Sequence, residues 1–106
     1  MKYLTKYEVI IIQNSKKRLE EFKGKAELLK AVAHPVRLCI VNGLIAEPGC
    51  NVSKIQSCLD LPQSTISQHL AKLKSAGIVE GRRSGLEVTY YVVNDYAKKI
   101  IEILIQ

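Results

Sequence analysis

At 106 residues the chain has room for one domain and one hydrophobic core. Its 47% apolar and 25% charged residues exclude low-complexity disorder and collagen-like repeats. Lys and Arg number 16 against 10 Asp and Glu, a formal charge of +6, and on so small a domain that excess points to a polyanionic partner, nucleic acid before membrane surface.

Residues 1–30 carry eight basic and four acidic side chains, a pattern that also fits a simply solvated helix face. Lys2 and Lys6 precede an apolar run of only residues 9–12. A signal core needs about 7–15 apolar residues and a membrane span about 20, so neither is expected and the setting is cytoplasmic. No repeat or Gly/Ser-rich linker divides the chain, and residues 1–106 are read as a single domain. Gly24 is expected to interrupt the N-terminal helical region, with residues 25–33 helical beyond it. His34-Pro35 ends that helix, because the residue before proline is pushed out of the helical region. Pro35 can itself open the next one, over residues 36–46.

Pro48-Gly49 stops this helix. A short helix follows over 52–59, with Val52, Ile55 and Leu59 in helical register. Asp60-Leu61-Pro62 is a tight connection to a helix over 63–76, whose buried ridge is Ile66, Leu70 and Leu73 and whose stop is Gly77. The pair has the outline of a helix-turn-helix. Beyond Gly77 the period changes from helical to alternating. Residues 78–83 form a strand entering a turn at Ser84-Gly85, and Leu86, Val88, Tyr90 and Val92 alternate along the return strand. A last helix over 95–105 is too apolar for a free surface helix. The predicted fold class is mainly α with a small β-hairpin.

The helix at 63–76 directs Gln63, Ser64, Thr65, Ser67, Gln68, Ala71 and Lys72 outward. These are short or amide-bearing side chains, and no Asp or Glu occurs from Leu61 to Val79. Gln presents a paired donor and acceptor to an adenine edge, Ser and Thr bond bases or phosphates, and a helix N-terminus attracts a phosphate. A polar first turn chosen for capping is the plainer reading. Arg82 and Arg83 near the hairpin tip suit phosphate or minor-groove contacts, and they would equally protect an edge strand. The apolar residues at 100–105, with Tyr3, Leu4, Tyr7 and residues 9–12, exceed what one small monomer covers, so an isologous homodimer is expected.

Three segments carry a resemblance: LKAVAHPVRL at 29–38, LPQSTISQHLAKLKSAGIV at 61–79 and RRSGLEVTYY at 82–91. From about residue 26 to 105 the chain resembles the ArsR/SmtB family of small winged-helix repressors. The resemblance implies a homodimeric winged helix-turn-helix on palindromic double-stranded operator DNA, with N- and C-terminal helices forming the subunit interface and an inducer releasing the DNA. It places base and phosphate contacts on Gln63, Ser64, Thr65, Ser67 and Gln68. Pro62 stands where many members have a capping serine.

The family's sensor residues do not transfer. Its Cys-x-Cys positions fall on Asn51 and Ser53, its last-helix metal site would find Asp95 and Glu102 but no histidine, and its persulfide-sensing position falls on Asn42. The candidate sensor thiols are Cys39, Cys50 and Cys58, an odd set without C-x-x-C, which excludes a disulfide framework. Placed on adjacent helices and the loop between them, they can converge on a soft metal or react with an oxidant. Ordinary core or surface cysteines are the alternative. Cys50, following Pro48-Gly49 at a helix start, is expected to be the most exposed, its thiolate favoured by the helix N-terminus. His34 and His69 are expected to make structural hydrogen bonds. A thiol enzyme using either histidine is disfavoured, since no glycine-rich nucleophile turn or orienting acid is evident. A protein-interaction module on the same scaffold, without its own inducer site, is the remaining alternative.

Overall fold

The computed structural model describes residues 3–105; Met1, the only other soft donor, and Lys2 lie outside them. The order is α1 (Lys6–Lys17), α2 (Leu19–Val32), α3 (Pro35–Ala46), α4 (Val52–Leu59), α5 (Gln63–Ser75), β1 (Val79–Ser84), β2 (Glu87–Val92) and α6 (Asp95–Ile105). Among the described residues no single helix is long and apolar enough to cross a membrane.

Local chemistry sets most boundaries. Thr5 opens α1 with a reciprocal capping box: its hydroxyl accepts from the Glu8 N–H, and the Glu8 carboxylate accepts from the Thr5 N–H. The N-terminal break falls at Arg18, not at the expected Gly24, which sits inside α2. Glycine lowers helix stability without forbidding the helix, and three i,i+3 ion pairs, Arg18–Glu21, Lys23–Glu20 and Lys30–Glu27, support α2 along its length. His34 caps α3 by accepting the Val36 N–H on Nδ1, and Pro35 fills the first helical position. The α5 C-terminus closes as a Schellman motif. Gly77 adopts φ +73, its N–H donates to the Lys74 carbonyl, and the Ile78 N–H reaches back to the Leu73 carbonyl.

One core joins these elements. Val32 from α2, Ile40, Val41 and Leu44 from α3, and Ile66, Leu70 and Leu73 from α5 pack with Ile78, Val79, Val92, Ala97 and Ile101. Ile101 is therefore core within one subunit, and of the apolar tail only Ile103, Leu104 and Ile105 remain as large exposed surface.

The two strands pair antiparallel from Val79↔Val92 to Ser84↔Glu87. The loop is Gly85-Leu86, one residue beyond the expected Ser84-Gly85. Gly85 takes φ +64, as the first position of a two-residue type II′ hairpin demands. Leu86 consequently leaves the alternating strand and stands fully exposed at the tip. The hairpin is also fastened at its side. The Gly49 N–H donates to the Tyr90 carbonyl and the Tyr90 N–H to the Cys50 carbonyl, so the loop before α4 adds a bridge to β2.

The molecule measures 64 × 29 × 21 Å with a radius of gyration of 18.5 Å, where a compact chain of this length has about 13 Å. Every described side chain of α1 is exposed, which makes α1 an arm rather than part of the body.

Candidate nucleic-acid interface

The inner face of α5 is fixed by burial. Ile66 and Leu73 are 0% exposed and Leu70 is 2%, which orients the rest of the helix without choice. Gln63, Ser64, Ser67, Gln68, Ala71 and Lys72 face solvent, and Thr65 is half-buried. The helix starts at Gln63, as the register predicts, with Pro62 at the cap position and no side-chain cap. Thr65 and Ile66 donate to the Pro62 carbonyl, while the N–H groups of Gln63 and Ser64 find no acceptor among the described residues. Two free N–H groups and the positive end of the helix dipole therefore face outward, beside hydroxyls and amides.

The charged groups around this face divide into held and free. Arg82 lies 4.0 Å over the Tyr91 ring and 3.5 Å from the Glu80 carboxylate, so its guanidinium is drawn along the hairpin. Lys72, Lys74 and Arg83 form no ion pair among the described residues. The hairpin is set against the helical pair by Asn51, which caps α4 through its Oδ1 and donates from Nδ2 to Glu87 at 2.8 Å. Asn51 and Glu87 are not identifiable as a positioning pair in the sequence, because 36 residues separate them, and the contact of Tyr91 with Arg82 depends on the strand register.

Behind α5, His69 is held structurally. Arg37 donates from Nε to His69 Nδ1 at 3.2 Å and from Nη1 to the Ala31 carbonyl, and the His34 and His69 rings lie 4.6 Å apart. Burial, with the nearby His34 and Arg37, pushes the His69 pKa down.

A helix-turn-helix domain family matches residues 32–82. The transcriptional repressor PagR of Bacillus anthracis is 47% identical over 79 residues, covering 74% of this chain and 79% of PagR. The repressor SmtB of Mycobacterium tuberculosis is 44% identical over 82 residues, covering 77% of this chain and 60% of SmtB. The crystal structure of PagR superposes with a TM-score of 0.76 at 43% identity, over 81% of this chain and 98% of that one. The chain belongs to the ArsR/SmtB family. In family terms, α4 and α5 are the helix-turn-helix, β1 and β2 the wing, and α5 the recognition helix.

The cysteines of the chain do not fall where the family resemblance would place sensor thiols. Asn51, one of the two positions that the resemblance matches to Cys-x-Cys, instead caps a helix and ties down the wing. Cys50 is not the exposed thiol its position in sequence suggests. The loop it occupies is paired to β2, which leaves Cys50 9% exposed, with its Sγ–H donating to the Glu47 carbonyl. Burial first, then the Glu47 carboxylate, pushes its thiol pKa up rather than down. Cys39 and Cys58 are the exposed thiols. All three nevertheless line one cavity of about 270 Å³ between α3 and α4. Among the described residues, no three His, Cys, Asp or Glu side chains are grouped to hold a metal ion.

Proposed function

We propose that the chain is a sequence-specific transcriptional repressor that binds a palindromic operator as a homodimer and is released by an inducer acting through its thiols. The carrying observation is the outer face of α5: uncapped, free of carboxylates, bearing exposed amides and hydroxyls, and flanked by the unpaired cations Lys72, Lys74 and Arg83. Gln63, Ser67 and Gln68 read base edges in the major groove. Ser64, Thr65, Lys72, Arg82 and Arg83 hold the phosphate backbone or the minor groove. Dimerisation through α1 and α6 is supported by their exposed apolar side chains. It sets two recognition helices about 34 Å apart, one turn of DNA. No enzymatic step is assigned, and the three free thiols suit a reducing cytoplasm.

Mobility shift on the DNA upstream of the chain's own gene, across a salt series, tests this. Gln63→Ala or Ser67→Ala should cost about 1–3 kcal/mol on operator and little on random DNA. Arg83→Ala should weaken both and flatten the salt dependence. Equal losses on both DNAs for every substitution would mean that α5 does not read sequence.

A further inference from the structure

The cavity between α3 and α4 has features that packing alone does not explain. Every cysteine of the chain lines it. Its floor is apolar, with Ile40, Leu44 and Ile55 buried beneath. Its only charged lining groups, Glu47 and Lys54, are paired with each other across the gap from the end of α3 to α4. Part of the α3 wall is Gly43. This residue has no unusual backbone angle, and a Cβ placed on it meets nothing within 4 Å. Gly43 is exposed at the cavity wall, so a larger side chain there has room to stand.

A neutral, apolar hollow selects neither anions nor cations, and its thiols are not gathered around a metal position. At about 270 Å³ it lies just below the usual range for small-molecule pockets, enough for one small ring. The thiols differ in readiness. Cys50 is buried and its hydrogen is engaged by the Glu47 carbonyl. Cys39 has no cation one turn away on α3. Cys58 is exposed and lies one turn after Lys54 on α4, whose ammonium, held by Glu47, keeps further N–H donors for negative charge developing on a carbonyl oxygen.

We propose that the α3–α4 cavity is a binding and modification site for a small uncharged Michael acceptor of the quinone class, with Cys58 as the nucleophile. The Cys58 sulfur bonds to the β-carbon while the C=C π pair moves onto the carbonyl oxygen. The proton lost by the thiol returns through water to the enolate, so no group leaves and no oxidant is consumed. The adduct wedges α4 from α3. Because α4 packs on α5 and the Cys50 backbone is bridged to β2, the displacement reaches both DNA-binding elements. This rests on the repressor function proposed above and names its inducer class.

The test uses the full chain with para-benzoquinone as probe and iodoacetamide as a small polar control, read by peptide mass mapping. Quinone should label Cys58 at least about tenfold faster than Cys39, as expected for a reagent held beside its target. Gly43→Val, which adds bulk to the cavity wall and leaves every thiol in place, should remove that preference and leave the iodoacetamide rates alone. Circular dichroism checks its fold, and Cys58→Ser, which should lose the fast labelling, gives an independent reading. Labelled protein should lose at least about tenfold in operator affinity, and Cys58→Ser should keep it after the same treatment. Equal labelling of Cys39 and Cys58 with no effect of Gly43→Val would overturn the site. Fast labelling with unchanged operator affinity would overturn its regulatory role. Untreated protein that fails to bind operator would count against the repressor function, not against the cavity.

Discussion

The winged body from α3 to β2 and the flanks, α1 with the outer face of α6, are both rich in apolar residues, yet they treat them oppositely. In the body, Val41, Ile66, Leu73 and Ile78 are 0% exposed. On the flanks, Tyr3, Tyr7 and Ile103 are 90%, 74% and 80% exposed, and Ile10, Ile11, Leu104 and Ile105 accompany them. The body completes its core within one chain. The flanks carry apolar surface that one chain leaves bare, as a subunit interface requires. In a chain this small, α6 serves both: its inner face closes the core with Ala97 and Ile101, and its outer face stays bare.

The contrast breaks most visibly on the flanks. If the proposed dimer forms through these flanks, Ile11→Asp combined with Ile103→Asp should leave a monomer in sedimentation, with a loss of about 100-fold or more in operator affinity as the two half-sites cease to be bound together. A double variant that still sediments as a dimer would place the interface elsewhere. In the body, Ile66→Ala should cost about 2–5 kcal/mol in urea unfolding, and a loss below about 1 kcal/mol would mean that α5 is not anchored as described.

His69 sharpens the comparison within the body, since it joins α5 to α3. Its pKa is lowered by burial, then by His34 and Arg37, so the native state favours neutral imidazole. As pH falls below the ordinary histidine value of 6.5, the unfolded chain takes up the proton first and stability declines towards the lower native value. The urea midpoint should therefore drop on acidification, and His69→Gln, which keeps an acceptor for Arg37, should flatten that dependence. The smallest effect is expected at Gly43→Ala, a gain of about 0.5–1 kcal/mol from better helix propensity with no clash.

Legibility in the sequence followed the range of the interactions. The bounds of α4 and α6 and the start of α5 agree with the sequence reading, because apolar spacing, Pro62 and Gly77 act locally. So does the outward face of α5, which follows once Ile66, Leu70 and Leu73 are inside. Cys50 is more buried than its place in the sequence suggests, because a bridge to Tyr90, forty residues away, covers it. Leu86 belongs to the turn and not to the strand, and the strand alternation gives no sign that the turn falls one residue later. The hollow beside Gly43 leaves no trace in periodicity, since it depends on what α4 fails to place opposite.

The bridge between Cys50 and Tyr90 also has a mechanical meaning. The wing is pinned there, at a point four residues from Leu86, a free length of about 13 Å at the rise of an antiparallel strand. Turning the anchored loop by about 10° would carry the tip through about 2 Å over that length. Arg83, paired with Val88 two residues from the pin, would move by about 1 Å in the same turn, about the difference between a hydrogen-bonded and a broken contact.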